Sequence, residues 1–151
     1  MLNLPSVTKE EVADRTIVEE TIALFDLVHL REATVDDLPY GVKKRVELAR
    51  AVVQEPRLLL LDEPMAGMTL DEKEEMSAYI LTTRESTKAA VLLVEHDMGV
   101  VMDLAEHVVV LDFGRKIGEG APAAIQRDPA VIAAYLGEDT VSPPAEKGIV
   151  A

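Results

Sequence analysis

The chain has 151 residues, no cysteine, and 28 acidic against 15 basic side chains, for a formal net charge of −13. The length suffices for one domain with a real core; the lack of cysteine excludes a disulfide framework and a thiolate metal site, and the acidity argues against nucleic acid and anionic lipid as partners. No apolar run approaches the roughly 20 residues of a spanning helix and Met1 opens no signal-peptide pattern, so the expectation is a soluble intracellular protein with no direct membrane insertion, any membrane link passing through a partner.

Met1 to Thr8, with Pro5 and Ser6, reads as an irregular lead-in. Thr8 followed by Glu11 has the form of a capping box, and Ile17, Val18, Ile22, Leu24, Phe25 and Val28 recur at helical spacing. A helix is expected from about Lys9 to Leu30. Asp36 to Gly41 reads as a loop, and a second helix from about Val42 to Gln54 turns Val46, Ala49, Val52 and Val53 inward and Lys43, Lys44, Arg45 and Arg50 mostly outward. The start of that helix leaves free backbone N–H groups behind a glycine, which is an anion site in principle and an ordinary loop-to-helix junction otherwise.

The stretch Leu58-Leu59-Leu60-Leu61-Asp62-Glu63-Pro64 organises the rest. Four consecutive leucines have no amphipathic period, and a short apolar run bounded by Pro56 and Pro64 fits a strand buried on both faces of a parallel sheet. Ligands of open α/β sheets bind outside the carboxyl ends of the strands, so Asp62 and Glu63 face a site, or are two solvated acids at a strand end. Met65 to Thr69 is a tight loop, and Asp71 to Ser86 a charged surface helix with Met76, Ile80 and Leu81 facing in. Ala90 to Val94 is a second strand ending in Glu95-His96-Asp97, Met98 to Glu106 a helix, and Val108 to Leu111 a third strand. Phe113-Gly114-Arg115 turns the chain, with Arg115 to Glu119 pairing back antiparallel; Pro122 to Gln126 and Pro129 to Leu136 are short helices. Thr140 to Ala151, with Pro143-Pro144 and little hydrophobicity, is expected to be disordered. The alternation of strands and helices argues for an α/β layer fold with parallel strands.

The series Leu38-Pro39-Tyr40-Gly41, Leu58–Pro64, Ala66–Thr69 and Val94-Glu95-His96-Asp97, in that order and spacing, resembles the C-terminal half of an ATP-binding cassette (ABC) transporter ATPase. Leu38–Gly41 is similar to the signature loop, Leu58–Glu63 to the Walker B strand with its catalytic glutamate, Ala66–Thr69 to the D-loop, and His96 to the switch histidine. The ending Asp128–Gly137 is similar to that of the branched-chain amino-acid importer ATPases.

The resemblance implies a partial P-loop NTPase-like layered fold: residues 1–54 as part of the helical subdomain with signature loop and helix, 55–138 as the C-terminal half of the ATPase core, and 139–151 as a tail. It implies ATP and Mg²⁺ as ligands of a complete cassette. Asp62 would hold the metal, Glu63 would orient and polarise the attacking water, and His96 would reach the γ-phosphate. Leu38, Pro39, Tyr40, Gly41 and Thr69 would approach nucleotide, the signature loop doing so on a second ATPase subunit. It further implies permease subunits, an indirect solute-binding protein, and a cytoplasmic, peripheral place on the inner face of the membrane.

The departures from the family pattern are specific. No Gly-x-x-x-x-Gly-Lys-Ser/Thr occurs among the 151 residues, and that loop is what cradles and neutralises the phosphates. Pro39 stands where many members have serine, Val42 where glutamine is common, and Thr69 where aspartate or asparagine is usual. The expectation is a truncated cassette, unable to bind ATP alone, with Met1 at an internal position of a longer ancestor. A docking module without enzymatic activity and a superfamily ATPase with a non-transport role are the alternatives. In the family the strand leading to the P-loop lies between the counterparts of Ala90–Val94 and Val108–Leu111; without it, these two are expected to pair directly, with Met98–Glu106 as crossover.

Overall fold

A computed structural model describes the backbone of residues 5–136 and the side chains of residues 10–135. The expected tail at 139–151 lies outside these residues. The chain divides into two compact units, Met1–His96 and Asp97–Ala151.

In the first unit, helix α1 spans Pro5–Leu24. It starts earlier than the sequence pattern suggests, so Thr8 lies within the helix and is not its cap. It also stops earlier, because Asp26 takes a left-handed backbone (φ 50°), a conformation in which aspartate is one of the few tolerated side chains. Two single turns of 3₁₀-helix, Val28–Leu30 and Val35–Asp37, lead to helix α2 at Tyr40–Val52. Strand β1 (Leu58–Asp62) is followed by helix α3 (Leu70–Thr87) and strand β2 (Ala90–Val94). The two strands pair in parallel from Leu58↔Ala90 to Asp62↔Val94, with α3 as the connection. The α/β arrangement with parallel strands is thus as the pattern dictates.

Two inferences about packing need correction. β1 is buried on one face only: Leu59 is 4% exposed while Leu60 is 64% exposed. Successive strand side chains point to opposite faces, and among the described residues nothing covers the face shared by Leu58, Leu60, Leu92 and Val94. Arg45 does not point outward. It is half-buried, donates from Nη1 to the Tyr79 hydroxyl at 2.9 Å and lies over that ring, which in turn stacks on the fully buried Phe25.

The second unit opens with helix α4 (Met98–Leu104), capped by Asp97, whose carboxylate accepts from the Gly99 and Val100 N–H groups. Strands β3 (Val108–Asp112) and β4 (Arg115–Gly120) form an antiparallel hairpin. Both turn residues, Phe113 (φ 43°) and Gly114 (φ 76°), have positive φ, the requirement of a tight turn that follows the strands' twist. Helices α5 (Pro122–Ile125) and α6 (Pro129–Leu136) lie against β4, where a Cβ at Gly118 would come within 2.9 Å of Val131. Among the described residues the ladders are β1–β2 and β3–β4, each within one unit, and the expected direct pairing of Ala90–Val94 with Val108–Leu111 is not among them; β3 takes its hydrogen bonds from the adjacent hairpin strand.

Candidate active site

The carboxyl ends of β1 and β2 are aligned by the parallel register, which sets Asp62 beside Val94. The backbone then turns sharply. Glu63 has φ 44° and its N–H donates to the Val94 carbonyl at 2.9 Å. A non-glycine residue held in the left-handed region costs free energy, and here it aims the Glu63 side chain out of the sheet. His96, two residues beyond β2, brings Nδ1 to 3.3 Å from Glu63 Oε1, with both side chains at least half exposed. Asp62 is exposed beside them. The structure therefore gathers Asp62, Glu63 and His96 at one end of one sheet.

Glu95 holds the loop that follows. Its Oε1 accepts from the Met65 N–H at 3.3 Å, and the Met65 side chain, 1% exposed, anchors the turn in the core. The sequence pattern had given Glu95 no such role. Ala66–Thr69 then runs into α3, with Gly67 at φ 75°.

Leu38, Pro39, Tyr40 and Gly41 form the entry to α2, separate from the Glu63–His96 pair but joined to the 66–69 loop. The Tyr40 hydroxyl donates to the Ala66 carbonyl at 3.0 Å. Pro39 occupies the N-cap position of α2 and gives no side-chain cap. Thr69 is the N-cap of α3: its hydroxyl accepts from the Glu72 N–H while the Glu72 carboxylate accepts from the Thr69 N–H at 2.8 Å and hydroxyl at 3.0 Å. Thr69 is thus engaged within its own helix start. The hydrogen bonds from the Thr69 backbone and hydroxyl hold the Glu72 carboxyl below the ordinary glutamate range. Glu72 is the contact the sequence reading missed. Its signal was the Thr-x-x-Glu pattern at 69–72, the same pattern that pointed to Thr8 and Glu11.

Among the described residues no cluster of three His, Asp or Glu side chains is placed to chelate a metal. A lone exposed carboxylate, Asp62, suits Mg²⁺, which is commonly held by one or two carboxylates with waters and substrate phosphates completing the shell. For the phosphates themselves no glycine-rich lysine loop occurs in the 151 residues. The donor set therefore fits the metal and the attacking-water side of a phosphoryl-transfer site, and not the phosphate cradle. No described helix is long and apolar enough to cross a membrane.

Comparison with known proteins agrees with this geometry. Residues 2–66 match the ABC transporter family, and residues 115–141 match the branched-chain amino acid ATP-binding cassette transporter family. The chain is 40% identical over 129 residues to the high-affinity branched-chain amino acid transport ATP-binding protein BraF of Pseudomonas aeruginosa, covering 83% of this chain and 51% of BraF. It is 37% identical over 141 residues to the corresponding protein LivG of Escherichia coli, covering 91% and 54%. Among solved structures, the ADP conformation of MJ1267, an ATP-binding cassette of an ABC transporter, matches with a TM-score of 0.76 at 25% identity, over 83% of this chain and 50% of that one. CbiO1 of Clostridium perfringens, part of the complex cbiONQ, matches with a TM-score of 0.72 at 28% identity, over 87% and 50%. The chain spans about half the length of the curated relatives it matches. It belongs to the ABC transporter family and is similar, within that family, to the ATP-binding proteins of branched-chain amino acid transport.

Proposed function

We propose that the chain supplies the hydrolysis residues of an ABC-type ATPase that couples ATP hydrolysis to import of branched-chain or related amino acids. The observation that carries this reading is the Glu63–His96 pair, 3.3 Å apart at the carboxyl ends of paired parallel strands. Residues 1–54 contribute to the helical subdomain and 55–138 to the ATPase core. The assembly would include a second ATPase subunit, permease subunits and, through them, a solute-binding protein, placing the chain at the inner face of the membrane.

Phosphoryl transfer depends on positioning and on neutralising charge. Asp62 is the carboxylate that would hold Mg²⁺, and the bound ion supplies charge neutralisation at the phosphate oxygens. Glu63 accepts a proton from the attacking water as general base. The His96 imidazole, with Nδ1 3.3 Å from Glu63 Oε1, would orient the carboxylate toward the water. Leu38–Gly41 would approach the nucleotide of the second subunit, with Pro39 offering neither hydroxyl nor N–H. Thr69, capping α3, would contribute to the nucleotide surface by shaping its loop.

The second reading is a docking module without activity. Calorimetry with Mg-ATP separates the two. The chain alone is expected to bind more weakly than micromolar, about −8 kcal/mol. Supplied with the P-loop-bearing half of a related cassette, it is expected to give an assembly that hydrolyses ATP. An assembly that forms and binds ATP without turnover favours the docking reading.

A further inference from the structure

Bonds from several directions hold the turn that carries Glu63. At the end of β2, the Val94 carbonyl accepts from the Glu63 N–H at 2.9 Å, and Glu95 Oε1 accepts from the Met65 N–H at 3.3 Å. Within the turn, the Ala66 N–H donates to the Glu63 carbonyl at 3.1 Å. A further hold comes from α2. The Tyr40 hydroxyl donates at 3.0 Å to the carbonyl of Ala66, 26 positions away in the chain.

Tyr40 is the first residue of α2, and its side chain is engaged along its length. The ring lies against Gly67, where a Cβ would be 3.6 Å from Cε1 and 3.7 Å from the hydroxyl oxygen. Lys44, one turn further along the helix, brings Nζ to 5.8 Å from the ring centroid, within the range of a cation–π attraction. Tyr40 is 50% exposed, so these directional contacts place the ring more than burial does.

We propose that Tyr40 is a positioning residue that ties the 38–41 loop to the turn carrying Glu63, so that the nucleotide-facing loop and the proposed base keep one spacing. The backbone of Ala66 does the coupling, its carbonyl bonded to Tyr40 and its N–H to the Glu63 carbonyl. The catalytic purpose of the tie rests on the hydrolysis function proposed above; the tie itself does not. Misplacement of about 1 Å in such a site costs on the order of 10²-fold in rate, so a hydroxyl that touches no reacting atom still bears on turnover.

Tyr40→Phe removes the donor and keeps the ring; Tyr40→Ala removes both. Nuclear magnetic resonance on the full 151-residue chain, without nucleotide, follows the tie directly. In Tyr40→Phe the Ala66 carbonyl carbon is expected to move upfield, the direction taken when a carbonyl loses a hydrogen bond. The Ala66 amide is expected to exchange about fivefold faster, the effect of about one net hydrogen bond, while the Glu72 and Lys73 amides at the start of α3 stay unchanged. Tyr40→Ala is expected to give the same change or a larger one. An unmoved Ala66 carbonyl in Tyr40→Phe overturns the tie, as does equal acceleration at Ala66, Glu72 and Lys73, which reports lowered global stability instead. In an assembly completed with a P-loop-bearing half, Tyr40→Phe is expected to lower kcat about tenfold and to leave KM within about twofold. A raised KM with unchanged kcat makes Tyr40 a nucleotide contact and overturns the positioning role; unaltered constants overturn it too. Absence of hydrolysis by the parent assembly overturns the hydrolysis reading and the tie's catalytic purpose with it, whereas a failed resonance pattern overturns the tie alone.

Discussion

Nδ1 of His96 lies 3.3 Å from Oε1 of Glu63, across the ends of two parallel strands whose register runs residue for residue from Leu58↔Ala90 to Asp62↔Val94. The separation is set by the backbone at both ends: the ladder fixes where the strands stop, and the Glu63 N–H bonded to the Val94 carbonyl fixes the turn that follows. Neither side chain is buried, so solvent can reach the pair and so can a substrate.

In an assembly completed with a P-loop-bearing half, Glu63→Gln is expected to cut turnover by about 10²–10⁴-fold, the usual loss for a general base, while ATP binding is spared. Glutamine keeps the shape and gives up the capacity to take a proton. His96→Ala is expected to cost less than Glu63→Gln, because it frees the carboxylate without removing it. Steady-state hydrolysis beside equilibrium nucleotide binding checks both, and near-normal turnover in Glu63→Gln would remove that residue from the role.

The left-handed backbone at Glu63 (φ 44°) makes a separate prediction about the chain alone. Glycine adopts this conformation without the roughly 1–2 kcal/mol that it costs other residues, but loses more chain entropy on folding, about 0.5–1 kcal/mol. Glu63→Gly is therefore expected to be neutral or stabilising by up to about 1 kcal/mol in urea unfolding, although it deletes the proposed base. A clear loss of stability would mean that the Glu63 side chain holds the fold together rather than serving a site.

The strands were readable because Leu58–Leu61, Ala90–Val94 and Val108–Leu111 are short apolar runs with breakers or charges at their ends. The placement of Asp62, Glu63 and His96 at the strand ends was readable because each lies where such a run ends. The limits of α1 were not: the Thr8–Glu11 pattern suggested a start, and the left-handed Asp26 that ends the helix early leaves no periodic mark. Arg45 was misassigned because a charge on a helix reads as solvent-facing, whereas a guanidinium over a tyrosine ring is accommodated half-buried. Glu72 was missed because its carboxylate lies against Gly41, a contact between residues distant in sequence that no local pattern marks.

Two carboxyls give the pH dependence a sign. Glu72 is lowered by the Thr69 backbone and hydroxyl bonds, and Glu119 by Lys116 first and then His107, whose Nε2 lies 3.2 Å from it. Each binds a proton less readily folded than unfolded. The stability they contribute is therefore present above the ordinary glutamate pKa and lost as pH falls through their lower folded values. Carboxyl carbon shifts followed against pH are expected to give midpoints below the ordinary glutamate value for both. Thr69→Ala should raise the Glu72 midpoint and Lys116→Met that of Glu119, each without moving the other.

The two faces of β1 give the sharpest test of packing. Leu59 is 4% exposed and Leu60 is 64% exposed, though both are leucines in one unbroken run. Leu59→Ala removes buried methyl groups and leaves a cavity, a loss of about 2–5 kcal/mol, a large part of the 5–15 kcal/mol that holds a typical domain together. Leu60→Thr places a residue with good strand propensity on the exposed face, and is expected to stay within about 0.5 kcal/mol of the parent. Urea midpoints at unchanged slope make the comparison direct, since the slope reports the surface exposed on unfolding. Equal and large losses at the two positions would mean that the Leu58–Leu60 face is covered in solution, and the one-sided sheet would have to be abandoned.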